Sequence, residues 1–229
     1  MTFYCSLKRQ DMNDYLKKLL RQYFPDNAKL KITNKQLKTI INQAYERIEY
    51  CYSNIHDKYY DENGKIYFNH LNADHVCTFL YLLANTGYQF NLNKEFLDKL
   101  FYLNKIINSV DIYYKVKLPS IFVLAHPIGT VLGNASYQDY LYVYQNVVVG
   151  SSPDNKGINQ YPQLGRGNVL YSHASVIGDT IVGDNVIFGS NSFVINKKIK
   201  SNSIVYGHHP KNRIIKLKTR VIDKYFNIC

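Results

Sequence analysis

Two residues fifteen positions apart, Asp111 and His126, have side chains suited to proton transfer. An imidazole titrates near neutral pH, so it can remove a proton from an attacking nucleophile. A carboxylate bound to the other ring nitrogen fixes the tautomer and stabilises the imidazolium that forms. The two residues can therefore act as a base and its orienting carboxylate. The alternative is that His126 is an ordinary turn residue before Pro127.

A six-residue repeat predicts the fold that positions these residues. Aliphatic or aromatic residues occur at every sixth position over one stretch, namely Leu164, Leu170, Val176, Val182, Phe188 and Val194. The same spacing continues upstream at Val149, Val143, Tyr137, Val131 and Ala125. Helical faces repeat every 3.6 residues and strand faces every 2, whereas a six-residue repeat is typical of a parallel β-helix. We therefore expect a β-helix over residues 119–210.

The repeat is interrupted once, between Val149 and Leu164. Fifteen residues separate these positions where six would continue the repeat, so nine extra residues must leave the coil. The segment 151–163 is rich in Ser, Pro, Asp, Asn and Gly, which are turn formers. Long loops on rigid scaffolds commonly serve binding. We predict an inserted binding loop at 151–163, with a surface insertion of no function as the alternative.

The residues before the β-helix have the pattern of a helical domain. Apolar residues at helical spacing predict four helices, at 11–24, from about 34 to 52, at 73–85 and at 94–109. The chain therefore divides into a helical domain at 1–118, a β-helix domain at 119–210 and a basic C-terminal tail at 211–229.

Composition excludes several classes of protein. The net charge is +11, but only six of the 28 basic residues are Arg and no nucleic-acid-binding motif is present, so we expect no nucleic-acid partner. No apolar run approaches 18 residues and no secretion signal begins the sequence, which predicts a cytoplasmic protein without membrane insertion. The scattered cysteines predict neither a disulfide framework nor a metal site. They are Cys5, Cys51, Cys77 and Cys229.

Several motifs around His126 occur in a fixed order. They are Asp111-Ile112, His126, Gly129–Gly133, Val147–Gly150, an insertion ending in Tyr161-Pro162, and the closing coils Val176–Gly183 and Val186–Gly189. This order resembles the serine O-acetyltransferase branch of the hexapeptide-repeat acyltransferases, over residues 70–215. The resemblance implies a helical N-terminal domain followed by a left-handed parallel β-helix. It also implies that His126 is the general base and that Asp111 orients it from the neighbouring coil.

Three positions depart from the serine-specific pattern of that family. An aspartate precedes the catalytic histidine in the family, where this chain has Ala125, and an arginine and a histidine end the inserted loop, where it has Gln160 and Tyr161. An amino-acid zwitterion would lose its ionic partners, whereas a polyol can hydrogen-bond to Gln160 and Tyr161. We therefore predict acetyl transfer to a sugar or nucleotide sugar, as in surface-polysaccharide biosynthesis. A serine acetyltransferase with an altered pocket and a non-catalytic scaffold are the alternatives.

Contacts to the acceptor and to the donor complete the prediction. His70 and Asp74 can face the acceptor from the start of the third helix, with helix capping or surface polarity as the alternative. The resemblance implies acetyl-CoA as the donor, bound along small-residue corners of the coils and by the basic segment after them. The predicted cofactor residues are Gly150, Ser151, Ser172, Ala174, Gly189, Ser190, Lys211, Arg213 and Lys216. It further implies a homotrimer, and leaves the pairing of trimers into hexamers open.

Overall fold

The computed structural model describes residues 3–26, 29–220 and 222–227, so Met1 and Cys229 lie outside the described residues. Its first part contains the four helices that the helical spacing of the sequence predicts, together with a small sheet that was not predicted. The helices are α1 (Arg9–Tyr23), α2 (Asn34–Ser53), α3 (Ala73–Gln89) and α4 (Lys94–Asn108). The sheet, with the order β1-β3-β2, is formed by β1 (Phe3–Cys5), β2 (Asp61–Glu62) and β3 (Lys65–Phe68).

Side-chain caps determine where three of the helices begin. Thr33 and Gln36 form a capping box at the start of α2, and the side chains of Asn72 and Asn93 accept backbone N–H groups at the starts of α3 and α4. Helix α3 contacts both α2 and α4, and it is buried almost throughout from His75 to Gly87. It also contacts the first strand of the β-helix, so its N-terminal turn is held at the junction of the two parts.

The second part is a left-handed parallel β-helix whose strands form three faces. In chain order the strands are β4 (Phe122–Leu124), β5 (Val131–Leu132), β6 (Ser136–Tyr137), β7 (Leu141–Val143), β8 (Val148–Gly150), β9 (Ser152–Pro153), β10 (Asn159–Gln160), β11 (Gln163–Leu164), β12 (Val169–Leu170), β13 (Ser175–Ile177), β14 (Ile181–Val182), β15 (Val186–Phe188), β16 (Phe193–Ile195), β17 (Lys198–Ile199), β18 (Ser203–Tyr206) and β19 (Arg213–Lys216). The parallel faces are β5-β8-β13-β16, β4-β7-β12-β15-β18 and β6-β11-β14-β17. The predicted fold class is therefore confirmed.

The repeat positions fill the core of the β-helix except at its first corner, where Leu124 and not Ala125 pairs with the repeat residue Val143. Every predicted repeat residue except Val131 is buried, whereas Val131 is 37% exposed and its neighbour Leu132 is 1% exposed. The corner before β5 explains this shift, because His126 and Gly129 both have positive φ angles, of 49° and 70°. These left-handed residues lengthen the corner, because Leu124 and Leu132, which pair with the repeat residues Val143 and Val149, are eight positions apart instead of six.

The inserted segment and the C-terminal segment both have regular structure. Strands β9 and β10 form an antiparallel hairpin within 151–163, and the Asp154 carboxylate accepts the N–H groups of Lys156 and Ile158 in its turn. Strand β19 pairs antiparallel with β18, and the short helix α5 (Ile222–Tyr225) packs back on the earlier coils. The described part of 211–229, which we predicted as a basic C-terminal tail, thus packs on the body of the protein.

Within the described residues, no helix combines the length and the apolar character that crossing a bilayer requires.

Candidate active site

His126 lies at the corner between β4 and β5, next to the start of α3. Its backbone N–H donates a hydrogen bond to Asp74 Oδ2 at 3.0 Å, and its ring Nδ1 is 3.9 Å from the same oxygen. The His126 side chain is 76% exposed, whereas that of Asp74 is 21% exposed. The imidazole is therefore open to a ligand on one side and faces a carboxylate on the other.

Asp74 is held in the first turn of α3. The Asn72 side chain accepts the N–H groups of Asp74 and His75, and the Thr78 hydroxyl donates to the backbone carbonyl of Asp74. Burial raises the pKa of the Asp74 carboxyl, while the hydrogen bond from the His126 N–H and the charge of its ring lower that pKa. The carboxyl is thus a partly desolvated group whose main polar contact is His126.

Asp111, the predicted orienting carboxylate, has a different partner. Its Oδ2 lies 2.6 Å from Lys105 Nζ, in an ion pair with the last turn of α4. Its backbone joins the first coil, since Asp111 accepts the N–H of Leu132 and donates to the carbonyl of Thr130. Among the described residues no hydrogen bond or ion pair joins Asp111 to His126. The single chain does not bring the predicted pair together, and the orienting role of Asp111 stays a prediction.

A cavity of about 660 Å³ opens between the helical part and the first coils, beside His126. It is lined by Asp57, Tyr59, Tyr60, Asn69, Leu71, Asn72, Ala73, Asp74, His75, Ala125, His126, Tyr142 and Tyr144. This lining, all of it within the described residues, contains carboxylates, imidazoles and phenols but no Lys or Arg. The cavity thus has hydrogen-bonding and aromatic walls next to an exposed imidazole.

The second histidine of the cavity wall, His75, is a core residue. It is fully buried among Tyr52, Tyr60 and Phe68, and its Nδ1 accepts the backbone N–H of Asn69 at 3.0 Å. Burial lowers the pKa of His75 to about 4, so the ring is neutral at physiological pH. It shapes the wall, and among the described lining residues only His126 offers an accessible imidazole to the cavity.

The other predicted acceptor residues lie away from this cavity. His70 Nδ1 is 2.7 Å from Ser6 Oγ, and the His70 ring packs edge-on against Tyr15, so His70 supports the N-terminal segment. The Gln160 amide donates to Asp154 Oδ2 at 3.0 Å within the inserted hairpin, and Tyr161 is 38% exposed there. Of the four predicted acceptor residues, the single chain brings only Asp74 next to His126.

The predicted donor corners differ in accessibility. Ser151 and Ser190 are exposed, Gly150 is half-buried, and Ser172 Oγ donates to Ser190 Oγ at 3.2 Å across two coils. Ala174 and Gly189 are buried in the single chain. A Cβ at Gly189 would lie 2.6 Å from Tyr206 Cδ1, so the Tyr206 ring covers that corner. The serines are thus accessible to an extended ligand and the other two positions are covered, and the donor-binding role of these corners stays a prediction.

The three predicted phosphate-binding cations lie together at the last hairpin. Lys211 is in the turn, while Arg213 and Lys216 are on β19 opposite Tyr206 and Ser203. All three are exposed, and within the described ranges none of them forms an ion pair. Positive charges without acidic partners are suited to an anionic ligand. The described residues contain no cluster of three or more His, Cys, Asp or Glu side chains able to hold a metal ion.

Sequence analysis missed the tyrosines of the cavity. Tyr142 and Tyr144 flank the repeat residue Val143, and alternation along a strand places both neighbours of an inward residue on the outer face. That signal was available in the six-residue repeat. Tyr59 and Tyr60 reach the cavity from the irregular segment before β2, for which the sequence has no comparable periodic signal.

Comparisons with known proteins show which family the chain resembles. No protein-family model matches it. The chain is 29% identical over 109 residues to a serine acetyltransferase from Synechococcus elongatus, covering 47% of this chain and 44% of that protein. It is 25% identical over 126 residues to a serine acetyltransferase from Staphylococcus epidermidis, covering 55% of this chain and 57% of that protein. The chain thus spans about half the length of the curated relatives it matches.

Solved structures extend the likeness to nearly the whole chain. A serine acetyltransferase in complex with cysteine matches 94% of this chain and 77% of its own, with a TM-score of 0.63 and 17% identity. The serine acetyltransferase from Brucella abortus in complex with coenzyme A matches 91% of this chain and 76% of its own, with a TM-score of 0.59 and 20% identity. The protein therefore has the fold of these enzymes and resembles the serine acetyltransferase branch in sequence.

Proposed function

We propose that the protein is an acetyl-CoA-dependent O-acetyltransferase with His126 as the general base. One observation carries the proposal, namely that an exposed imidazole faces an open cavity and is backed by a carboxylate. Such an imidazole can take a proton from a hydroxyl group without first breaking an internal hydrogen bond. The resemblance to serine acetyltransferases supports the proposed reaction.

The proposed mechanism follows from the position of the ring. Nδ1 faces Asp74, so Nε2 is the nitrogen available to an acceptor in the cavity. As the acceptor oxygen attacks, its O–H bond breaks and Nε2 gains the proton, and the carboxylate stabilises the resulting imidazolium. Bound acetyl-CoA would supply the thioester carbonyl that is attacked. His126 would then return the proton to the sulfur when the C–S bond breaks.

The donor would lie along the coils between the exposed serines and the last hairpin. Ser151 and Ser190 are exposed, so an extended pantetheine arm could approach the backbone there. Ala174 and Gly189 are buried, so the arm would not contact them. Lys211, Arg213 and Lys216 would bind the phosphates as charged groups. The accessible residues fit this donor, and a structure of a serine acetyltransferase with coenzyme A shares the fold.

L-Serine is the acceptor that the comparisons favour. The relatives described above are serine acetyltransferases, which supports our alternative prediction over a sugar acceptor. Asp74 and Asp57 in the cavity wall would attract the ammonium group of serine. The acceptor carboxylate would need a cation from outside the described lining, because that lining has no Lys or Arg.

A neutral polyhydroxylated acceptor is the second candidate, and the cavity wall favours it. Four tyrosines, Tyr59, Tyr60, Tyr142 and Tyr144, line the cavity. Aromatic walls suit a sugar ring, and a ligand without a carboxylate needs no cation. A second observation supports this candidate. The chain has the uncharged residues Gln160 and Tyr161 where the serine-specific pattern has an arginine and a histidine.

An acceptor screen tests the proposed function. The purified protein is incubated with acetyl-CoA and L-serine, monosaccharides or nucleotide sugars, and release of the coenzyme A thiol is followed. We expect release well above the rate of hydrolysis with one acceptor class. L-Serine as the best substrate would select the first candidate, and a sugar would select the second. Thiol release at the hydrolysis rate with every acceptor would contradict the proposed function and favour a scaffold.

We further propose that the protein forms a homotrimer and acts in the cytoplasm. Exposed apolar side chains beside the site, including Ile128 and Val131, and others on the hairpin and coils, such as Ile158 and Ile181, support contacts between subunits. Gln160 and Tyr161 would then reach the cavity of a neighbouring subunit. Sedimentation equilibrium measures the mass directly, and a monomer at micromolar concentration would contradict the assembly.

A further inference from the structure

A second cavity lies where α2 and α3 meet the segment that leads into the β-helix. Its volume is about 250 Å³, and its lining includes Glu46 and Arg47 of α2, Leu82 of α3 and residues 118–120. The described lining residues of this cavity and of the cavity beside His126 do not overlap. The two cavities are therefore separate binding spaces.

Arg47 brings a half-buried positive charge to this cavity. Its Nη1 donates to Asn85 Oδ1 and Thr86 Oγ1, each at 2.9 Å, and to the Leu82 carbonyl at 3.4 Å. These acceptors are neutral, and within the described part of the chain Nε and Nη2 have no protein partner. Burial lowers the pKa of Arg47, because it removes water from the charged guanidinium. The charge is thus desolvated without a counter-ion.

The contacts of Arg47 are fixed by the core. Asn85 is buried, and its amide donates to the Tyr114 carbonyl at 2.8 Å. The Tyr81 hydroxyl accepts the N–H of Leu118 at 3.0 Å, so α3 is also joined to the segment that forms the opposite wall. A cation that is already oriented loses little conformational freedom when a ligand binds.

Glu46 brings a negative charge to the same cavity. Its Oε2 accepts the Gln43 amide at 2.8 Å, and the residue is exposed. Among the described residues no ion pair joins Glu46 to Arg47 or to another cation. The lining therefore presents one cation and one carboxylate that do not neutralise each other, beside an apolar wall formed by Leu82 and Leu118.

We propose that this cavity binds a small α-amino acid with an apolar side chain. The ligand carboxylate accepts hydrogen bonds from Nε and Nη2 of Arg47, which form a planar fork that matches two carboxylate oxygens. The ligand ammonium group pairs with Glu46, and the ligand side chain contacts Leu82 and Leu118. The carboxylate also supplies the counter-ion that a desolvated guanidinium requires.

This site is independent of the proposed acetyl transfer. Asp74 at the acceptor cavity and Asn85 behind Arg47 are eleven positions apart on α3, which corresponds to roughly 16 Å of helix. A ligand at Arg47 contacts both the helices and residues 118–120, where the β-helix begins. Binding should therefore stabilise the junction between the two parts of the chain and raise Tm.

Three matched probes test the charge requirement on the full-length protein. L-Alanine carries both charged groups and has no hydroxyl to acetylate, propionate lacks the ammonium group, and ethylamine lacks the carboxylate. Calorimetric titrations without acetyl-CoA measure the affinities. We expect propionate to bind about fivefold more weakly than L-alanine, as the loss of one exposed ion pair predicts. Ethylamine should bind more weakly by at least about tenfold, because it loses the charge-assisted pair with Arg47.

Backbone NMR signals locate the bound probe. Titration with L-alanine should shift the amide signals of Arg47, Leu118 and Ser120 and leave those of Asp74 and His126 in place. Shifts confined to Asp74 and His126 would overturn the proposal, because the amino acid would then occupy the acceptor cavity.

Variants assign the two charged contacts. Arg47→Lys keeps the charge and removes the planar fork, so it should weaken both L-alanine and propionate by about tenfold. Glu46→Gln should lower the affinity for L-alanine to that for propionate and leave propionate unchanged. Glu62→Gln, an equivalent exposed change on β2, should bind all three probes as the wild type does.

Two results of the affinity measurements would overturn the proposal. One is equal affinity of the wild type for L-alanine and propionate, and the other is unchanged affinity in a folded Arg47→Lys variant. If circular dichroism shows that Arg47→Lys is unfolded, the exposed Glu46→Gln change decides. Loss of the preference for L-alanine in that variant would support the site, and a retained preference would contradict it. Because no measurement uses acetyl transfer, failure of the proposed function would not change these outcomes.

Discussion

The coils after Leu164 keep the six-residue repeat strictly, whereas the corner that carries His126 departs from it. In the later coils each predicted repeat residue is buried and the corners recur regularly. At the His126 corner the inward position moves from Val131 to Leu132, and a helix start covers one side. The regular coils form a scaffold, while the irregular corner creates a cavity between two parts of the chain.

The two regions also differ in charge. The cavity beside His126 has Asp57 and Asp74 in its wall, and its lining within the described residues has no Lys or Arg. The last coils end in a hairpin where Lys211, Arg213 and Lys216 are exposed. This separation suits a reaction whose anionic donor is bound at one place and whose acceptor is activated at another.

The largest expected effect is a loss of activity at the His126 corner, and a matched histidine in the later coils serves as its control. His126 and His173 both occupy exposed corners with positive φ, of 49° and 63°. His126→Ala should lower kcat by about 10² to 10⁴, because general-base catalysis contributes that much. His173→Ala should change the rate only a few-fold. Steady-state thiol release measures both, with circular dichroism to confirm folding. Equal losses in the two variants would contradict a special role for the first corner.

The next prediction tests the shifted repeat at that corner. Leu132 is 1% exposed and Val131 is 37% exposed. Leu132→Ala should lower the free energy of unfolding by about 2 to 5 kcal/mol, because a buried leucine leaves a cavity. Val131→Ala should lower it by less, because this side chain is exposed in the single chain and would be covered only by a neighbouring subunit of the proposed trimer. Urea titrations at one protein concentration measure both. A larger loss of unfolding free energy for Val131→Ala than for Leu132→Ala would show that Val131, and not Leu132, faces the core.

The regular region was predictable from the sequence and the corner was less so. A six-residue period directly specifies which residues face the core, so Leu170, Val176 and their equivalents were predicted correctly. The helices followed from their spacing and caps. The contact between Asp74 and His126 joins residues 52 positions apart in different parts of the chain. No local pattern encodes such a contact, and it depends on how the helical part packs on the coils.

A smaller effect is expected from the buried histidine of the helical side. The folded-state pKa of His75 is about 4 and its ordinary value is 6.5, because burial disfavours the charged ring. The unfolded chain therefore binds more protons between these values, so stability present above pH 6.5 is lost as the pH falls towards 4. The total is about 3 kcal/mol. Urea unfolding at a series of pH values measures it.

The control for His75 is His75→Gln, which keeps an acceptor for the Asn69 N–H and removes the titration. Carboxyl groups, including that of Asp74, also titrate in this range, so the difference between wild type and variant is the quantity to compare. We expect the variant to lose less stability on acidification. An identical pH dependence in both proteins would show that His75 does not titrate as a buried neutral ring.

The smallest effects are expected at the cationic hairpin. Lys211→Ala, Arg213→Ala and Lys216→Ala should each raise KM for acetyl-CoA by about twofold to fivefold, because exposed ion pairs contribute at most about 1 kcal/mol. The effects should shrink at high salt, where exposed charges are screened. Because these side chains lie away from the His126 cavity, kcat should stay unchanged. Lys65→Ala, an exposed change on the small N-terminal sheet, controls for net charge. A fall in kcat without a change in KM would place these cations in the acceptor reaction and remove the separation of charge between the two regions.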